Sequence, residues 1–146
     1  MSKRRAIALA LTDMLKNTLI GSNGYTTNIY GNVHSKLKYW NEVNDFPSIY
    51  MSAGTETREY HPSNQRWGYI PIALKLYVNG ENSQDDLESL LDDVEKAIEA
   101  SRNLIIDSAN GLTITEMLIS SITTDEGHLA PYGVGEIVVQ VMYPVL

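Results

Sequence analysis

Hydrophobic and polar residues alternate most regularly between Trp67 and Val78. Ile70, Ile72, Leu74, Leu76 and Val78 fall on one side at a period of two, the spacing of a half-buried strand. Pro71 cannot donate a ladder hydrogen bond and predicts an edge or a bulge there. Asn79-Gly80 follows, a pair that tolerates the positive φ of a turn. The period then changes. Leu87, Leu90, Leu91, Val94, Ala97 and Ile98 recur at helical spacing and predict a helix over Ser83–Ala100 with one apolar stripe. Ser83 is placed as its N-cap, with Asp86 as the capping-box partner.

The same logic covers the rest of the chain. Ile7, Leu11, Met14, Leu15 and Thr18 predict a helix over Ser2–Ile20, ended by a left-handed Gly21. Thr26–Tyr30 is a short strand candidate, and 31–45 reads as a loop with one helical turn. Pro47–Ala53 alternates as a strand, antiparallel to Trp67–Val78, and Thr55–Arg66 reads as a long polar loop between them. Leu112–Thr123 predicts a strand whose alternation slips near Glu116-Met117, the mark of a bulge or break. After a second long loop, Thr124–Gly133, comes strand Val134–Tyr143, with Ile137, Val139, Val141 and Tyr143 on one face. Helix, strands, helix, strands, with turn-joined neighbours, predicts an α+β fold. The expectation is a single two-layer domain over 1–146, its mostly antiparallel or mixed sheet carrying two main helices.

Composition narrows the chemistry. With 146 residues the chain is long enough to bury a core unaided. It has no cysteine, which excludes disulfides, Cys-zinc sites, iron–sulfur clusters and a thiol nucleophile. No apolar run reaches the roughly 18 residues of a membrane span. Asp13 and Lys16 cut short the apolar stretch after Lys3-Arg4-Arg5, which argues against a signal peptide. The overall charge is −7, yet residues 1–38 carry six basic side chains against Asp13 alone, a net of +5, leaving −12 for the remainder. An acidic body is a poor binder of nucleic acid. The basic start is either chance surface composition or a patch that meets an acidic surface on a neighbouring copy. Lys3, Arg4 and Arg5 also lie at the positive end of their helix, which costs a few tenths of a kcal/mol each. Either the helix starts later or these charges have a use elsewhere.

The sequence carries no recognised catalytic or cofactor-binding motif. His34, His61 and His128 lie at no metal-ligand spacing. Gly21-Ser-Asn-Gly24 lacks the lysine of a phosphate loop, and Gly133-Val-Gly135 precedes a strand rather than a helix. There is no Gly-x-Ser-x-Gly and no calcium-loop spacing. The expectation is no enzyme, no metal and no cofactor, the weak alternative being a small enzyme using His61 or His128 with nearby carboxylates. The central helix carries Glu88, Asp92, Glu95 and Glu99 on one stripe opposite its apolar face, where like charges four apart repel. A solvated face is the ordinary explanation.

Nine tyrosines and two tryptophans stand against one phenylalanine, a balance that favours contact surfaces between proteins. Opposite the core face of the long strand lie Trp67, Tyr69, Ala73 and Tyr77, to be covered by a second layer of the same domain, such as the N-terminal helix, or by another subunit.

These features resemble the tail terminator, or minor tail completion, proteins of long-tailed bacteriophages. The likeness is carried by Phe46-Pro-Ser-Ile-Tyr-Met-Ser-Ala-Gly-Thr-Glu-Thr-Arg58 and by Trp67 with Ile72-Ala-Leu-Lys-Leu-Tyr-Val78. The acidic helix ending near Ala100 adds to it, as does Thr124-Asp-Glu-Gly-His-Leu-Ala-Pro131 before a final valine-rich strand. It covers most of the chain from Phe46 on and is a pattern of spaced residue types, not a catalytic signature.

The resemblance implies a virion structural protein of the tail-neck region, assembled in the host cytoplasm. It implies a homo-oligomeric ring, a hexamer, that caps the tail tube, stops its growth and docks a head-completion or connector protein. DNA would only pass through, and no membrane is involved. A ring needs two complementary patches on each copy. The candidates are the basic Lys3, Arg4 and Arg5 against the acidic body. Candidate subunit or tube contacts are Glu56, Arg58, Glu59, Arg66, Trp67, Tyr69, Tyr77, Asp125, Glu126 and Tyr132, and the stripe Glu88, Asp92, Glu95 and Glu99 is a candidate channel lining. Another neck or tail-tube component of the same particle is the alternative.

Overall fold

The computed structural model describes residues 2–145. In chain order the elements are α1 (Lys3–Thr18), β1 (Val33–His34), β2 (Ser48–Ala53), β3 (Thr57–His61) and β4 (Gln65–Asn79). Then come α2 (Ser83–Ala100), β5 (Ile105–Asp107), β6 (Leu112–Thr113), β7 (Glu116–Thr124) and β8 (Tyr132–Pro144). The main sheet runs β1-β2-β4-β8-β7, with β3 also on β4, while β5 and β6 form a separate small hairpin. Among the described residues only β1 and β2 pair in parallel, and the other strand pairs are antiparallel. The fold is the expected α+β type, with both helices on one face of the sheet.

The core is where the periodicities place it. Ile70, Ile72, Leu74 and Leu76 of β4, Ile137, Val139 and Val141 of β8, and Ile49 and Met51 of β2 are buried on one sheet face. Against them pack Leu87, Leu90, Leu91, Val94, Ala97 and Ile98 of α2 and Ile7, Leu11 and Leu15 of α1. Each such large side chain contributes roughly 1.5–3 kcal/mol by leaving water.

Several expectations are corrected. Ser83 is not the N-cap of α2: Asn82 holds that position, with no side-chain cap bond, and Ser83 is buried inside the first turn. The helix begins one residue earlier than that cap would place it, because Asn82 takes the cap position, and the Asn82 carbonyl accepts from the Asp86 N–H at 2.9 Å. Helix α1 stops at Thr18, short of Ile20, and Gly21, at φ +75°, lies beyond its cap residue Leu19. Thr26–Tyr30 is no strand; one bridge joins Ile20 to Asn28. The stretch 31–45 does hold a helical turn, a 3-10 turn at Trp40–Glu42, but also the short strand β1.

The polar loop Thr55–Arg66 is largely a β-hairpin. Thr57–His61 pairs with Gln65–Tyr69, and the turn between them holds Ser63 and Asn64 at positive φ. No apolar alternation marks Thr-Arg-Glu-Tyr-His as a strand, because all of it is exposed and backbone pairing with β4 defines it. Pro71 therefore sits neither on an edge nor at a bulge. It lies in the interior strand β4 where its partner changes from β2 to β3: Ala53 pairs with Ile72, and Tyr69 with Thr57. Pro71 offers its carbonyl to the Gly54 N–H at 2.7 Å, and the junction needs no N–H in return. The predicted strand Leu112–Thr123 divides into β6 and β7, with the break just before Glu116 and a register shift between Ile119 and Ser121.

Candidate interaction site

The sheet face away from the helices stays half-exposed along β4 and β8. Helix α1, one of the covers the sequence offered, does not lie on it; it packs with α2 on the opposite face. Alternation along β4 and β8 brings Trp67, Tyr69, Pro71 and Ala73 beside Val138, Gln140 and Met142, all half-buried. Tyr69 lies opposite Met142 and Ala73 opposite Val138. One polar pair interrupts this face, Lys75 to Glu136 at 2.6 Å.

One end of the same face is covered from within. The segment around the 3-10 turn folds over it, and Tyr77, far from being an exposed contact, is buried and donates its hydroxyl to the Lys38 carbonyl at 2.6 Å. Val43, Tyr50 and Tyr77 form a small second core with Phe46 and Val134. Asp45 locks this cover down: it accepts from Tyr50 Oη at 2.6 Å and lies 2.8 Å from His34 Nε2. Burial pushes the Asp45 carboxyl up, but the bonds from Tyr50 and His34 outweigh it and hold it below the ordinary range. His34 stacks on the Tyr50 ring, with centroids 4.6 Å apart. Tyr132 belongs here too, its ring 5.4 Å from that of Trp40 and 5.8 Å from that of Phe46. Beside the cover lies a hollow of about 360 Å³ lined by Leu37, Tyr39, Trp40, Lys75 and Val134.

The residues around the hairpin separate into two groups. Glu56 is an internal tie. Its side chain is only 8% exposed and accepts from Tyr143 Oη at 2.9 Å, from Arg58 Nε, and from Arg4 Nη1 at 3.4 Å. Burial pushes the Glu56 carboxyl up, but the Arg58 and Tyr143 hydrogen bonds, the Arg58 charge and the Arg4 bond together hold it below its ordinary value. Glu59, Tyr60 and Arg66 are outward. Glu59 accepts from Tyr69 Oη at 3.0 Å and lies 2.6 Å from His61 Nε2, while Arg66 lies over the Tyr60 ring at 5.5 Å.

The basic start is consumed locally. Ser2 caps α1, its side chain accepting from the Arg5 N–H at 3.1 Å. Lys3 Nζ donates to the Val145 carbonyl at 2.7 Å, Arg4 Nη2 to the Gly54 carbonyl at 2.8 Å, and Arg5 Nη1 to Ser35 Oγ at 3.0 Å. These bonds offset the unfavourable placement of three cations at a helix N-terminus. They fasten α1 to the end of β8, the root of the hairpin and the segment after β1.

Asp125 is likewise structural, accepting from the Leu129 and Val134 N–H groups at 3.0 and 3.2 Å to shape the loop before β8. Burial raises its carboxyl, and these backbone bonds outweigh that and lower it. Glu126 and His128 stand exposed in the same loop, 3.9 Å apart. On α2, Glu88, Asp92, Glu95 and Glu99 are all solvent-facing. Asp93 of the same helix is the residue missed from sequence. It is buried and accepts from the Thr26 and Thr27 N–H groups at 3.2 and 2.6 Å, tying the loop after α1 to α2. Its place beside Leu90, Val94 and Ala97 on the apolar stripe is the signal that marks it off from the other carboxylates.

No group of three metal-ligating side chains occurs among the described residues. Among the described residues no helix is long and apolar enough to cross a membrane. Anchored aromatics, an open sheet face and an exposed hairpin offer surfaces for contact with other proteins, while His34 is packed on Tyr50 and His61 and His128 stand exposed. Residues 1–145 match the family described as bacteriophage tail tube terminator protein, and the chain belongs to that family, as the sequence resemblance implied. Its members are structural tail proteins rather than enzymes, which sets aside the histidine–carboxylate alternative. A relative, the tail tube terminator protein p142 of Escherichia phage T5, is 37% identical over 98% of this chain and 94% of its own length. The fold also matches a chain in the virion of a native gene transfer agent particle, with a TM-score of 0.65 at 10% identity and 96% of each chain covered.

Proposed function

We propose that this chain closes a hexameric ring on the end of the phage tail tube, stops its elongation there and presents the opposite side of the ring to a head-completion or connector protein. The observation that carries this is the open sheet face around Trp67, Tyr69, Ala73, Val138 and Met142, which neither helix covers. A half-buried apolar face flanked by a rigid hairpin suits a permanent contact with another protein. The hairpin, with exposed Glu59 and Tyr60 and half-buried Arg66, and the exposed loop, Glu126 and His128, are the surfaces we assign to the tube and the connector. The acidic stripe of α2 repels phosphate and suits a particle through which a genome passes without sticking. The ring takes its place in the tail-neck region during assembly in the host cytoplasm.

Negative-stain microscopy of the purified protein, alone and with tail tubes, tests this. Rings, free or seated on tube ends, are the expected result. A chain that stays monomeric with tubes present overturns it. Deleting the gene should give overlong tails; tails of normal length with a missing neck would favour a different neck component.

A further inference from the structure

We propose that the sheet runs on from one copy to the next, the outer edge of β7 pairing antiparallel with the outer edge of β3 on a neighbouring copy; this rests on the ring proposed above. Among the described residues β7 pairs only with β8, and β3 only with β4. Each therefore presents a row of unpaired N–H and C=O groups.

Edges that face solvent are usually blunted by lysine, proline or inward charge. Strand β7, Glu116-Met-Leu-Ile-Ser-Ser-Ile-Thr-Thr124, has neither lysine, arginine nor proline. Its one charge, Glu116, is held by Arg102 at 2.7 Å. Leu118 and Ile122 are 49% and 44% exposed, so the edge is apolar as well as unpaired. The bulge at Ser120 is its only irregularity and leaves Glu116–Ile119 and Ser121–Thr124 in register with β8. Strand β3 does carry charge, but Arg58 is bound by Glu56, and Glu59 by Tyr69 and His61. Partners within the same hairpin thus occupy its charged groups.

Chain direction selects the pairing. Along β3-β4-β8-β7 every neighbour is antiparallel, so β3 and β7 run in opposite directions. A second copy set alongside in the same orientation puts its β3 antiparallel to the first copy's β7, and the alternation continues. That contact is head-to-tail, the kind that closes into a ring, whereas pairing β7 with β7 needs an inverted copy and ends at two. The levels set a condition on the contact. Thr57 pairs with Tyr69, Tyr69 with Met142 and Met142 with Glu116, so β3 begins level with the start of β7 and extends away from it. The two edges overlap only when neighbouring copies are staggered along the strands, and such a stagger is what a closed sheet of tilted strands requires.

Hydrogen–deuterium exchange on the full chain, as ring and as monomer obtained by dilution, tests the pairing. The amides of β7 and β3 should exchange at least about tenfold more slowly in the ring. Ser121→Lys and Ile122→Lys should keep the monomer's circular dichroism and lose the ring; if either unfolds, the wild-type exchange result decides. Rings with unchanged exchange at β7 and β3, or rings formed by both folded lysine variants, overturn the edge pairing and leave the ring standing. Protection of β7 alone in a two-copy particle overturns it in favour of an inverted contact. A chain that stays monomeric on tail tubes overturns both the pairing and the ring.

Discussion

The phenol ring of Tyr143 fills the space where a side chain at Gly68 would stand. A Cβ at Gly68 would lie 2.5 Å from the ring's Cε1, and the two residues are register partners across β4 and β8. Gly68→Ala should therefore push the ring aside and lower stability by about 1–3 kcal/mol, the usual cost of overpacking. Denaturant unfolding measures it. The same displacement pulls Tyr143 Oη away from Glu56, so part of the stability gap from wild type should narrow as Glu56 protonates in acid.

Glu56 itself gives a pH-dependent prediction. Its folded pKa is lowered, so its contribution is present above the ordinary value of 4.5 and is lost as the pH falls through the folded value. Glu56→Gln should cost about 2 kcal/mol at pH 7, as expected for losing hydrogen bonds to charged partners. The gap in melting temperature between wild type and variant should close as the pH drops below the ordinary carboxylate range. A gap that stays constant down to acid would show that charge at Glu56 is not what stabilises.

Asp93 is tested by Asp93→Ala. The change strands two backbone N–H groups, those of Thr26 and Thr27, and should cost about 2–3 kcal/mol. The loss is local to the link between α2 and the loop after α1, so exchange of the Thr26 and Thr27 amides should accelerate before that of the core strands.

The outer stripe of α2 should behave in the opposite way. Asp92→Lys removes a like-charge contact with Glu88 at i,i+4 and should leave stability unchanged or raise it by about 0.5 kcal/mol. A loss of assembly in a variant of undiminished stability would assign the stripe a contact role.

Replacing Tyr69 with Ser should leave the core side chains in place, since Tyr69 faces away from both helices. Melting should shift little, while ring formation or tube capping, scored by microscopy, should weaken. Unimpaired capping by Tyr69→Ser and Trp67→Ser together would remove the open face from the functional surface.

Strands β4 and β8 and helix α2 were legible because their periodicity is imposed by burial, and burial is written in the choice of Ile, Leu and Val. Strand β3 was not, because it buries nothing; its existence depends on backbone pairing with β4, which any polar sequence can do. Glu56 and Arg4 were hidden for a related reason. Both look like surface charges in a linear reading, and only the fold brings α1, the hairpin root and the end of β8 together around one carboxylate. Asn82 took the cap from Ser83 because the turn after β4 ends one residue earlier than spacing alone suggests.

Strand β4 has a mechanical consequence. It runs without interruption from the hairpin at Gln65 to Asn79, and β8 is paired with it from Trp67 onward. A pull along the hairpin is therefore carried in shear by that whole ladder at once, rather than peeling its bonds apart one after another. Load on the projecting arm passes straight into the body, so the arm acts as a stiff lever rooted in the sheet rather than as a tether.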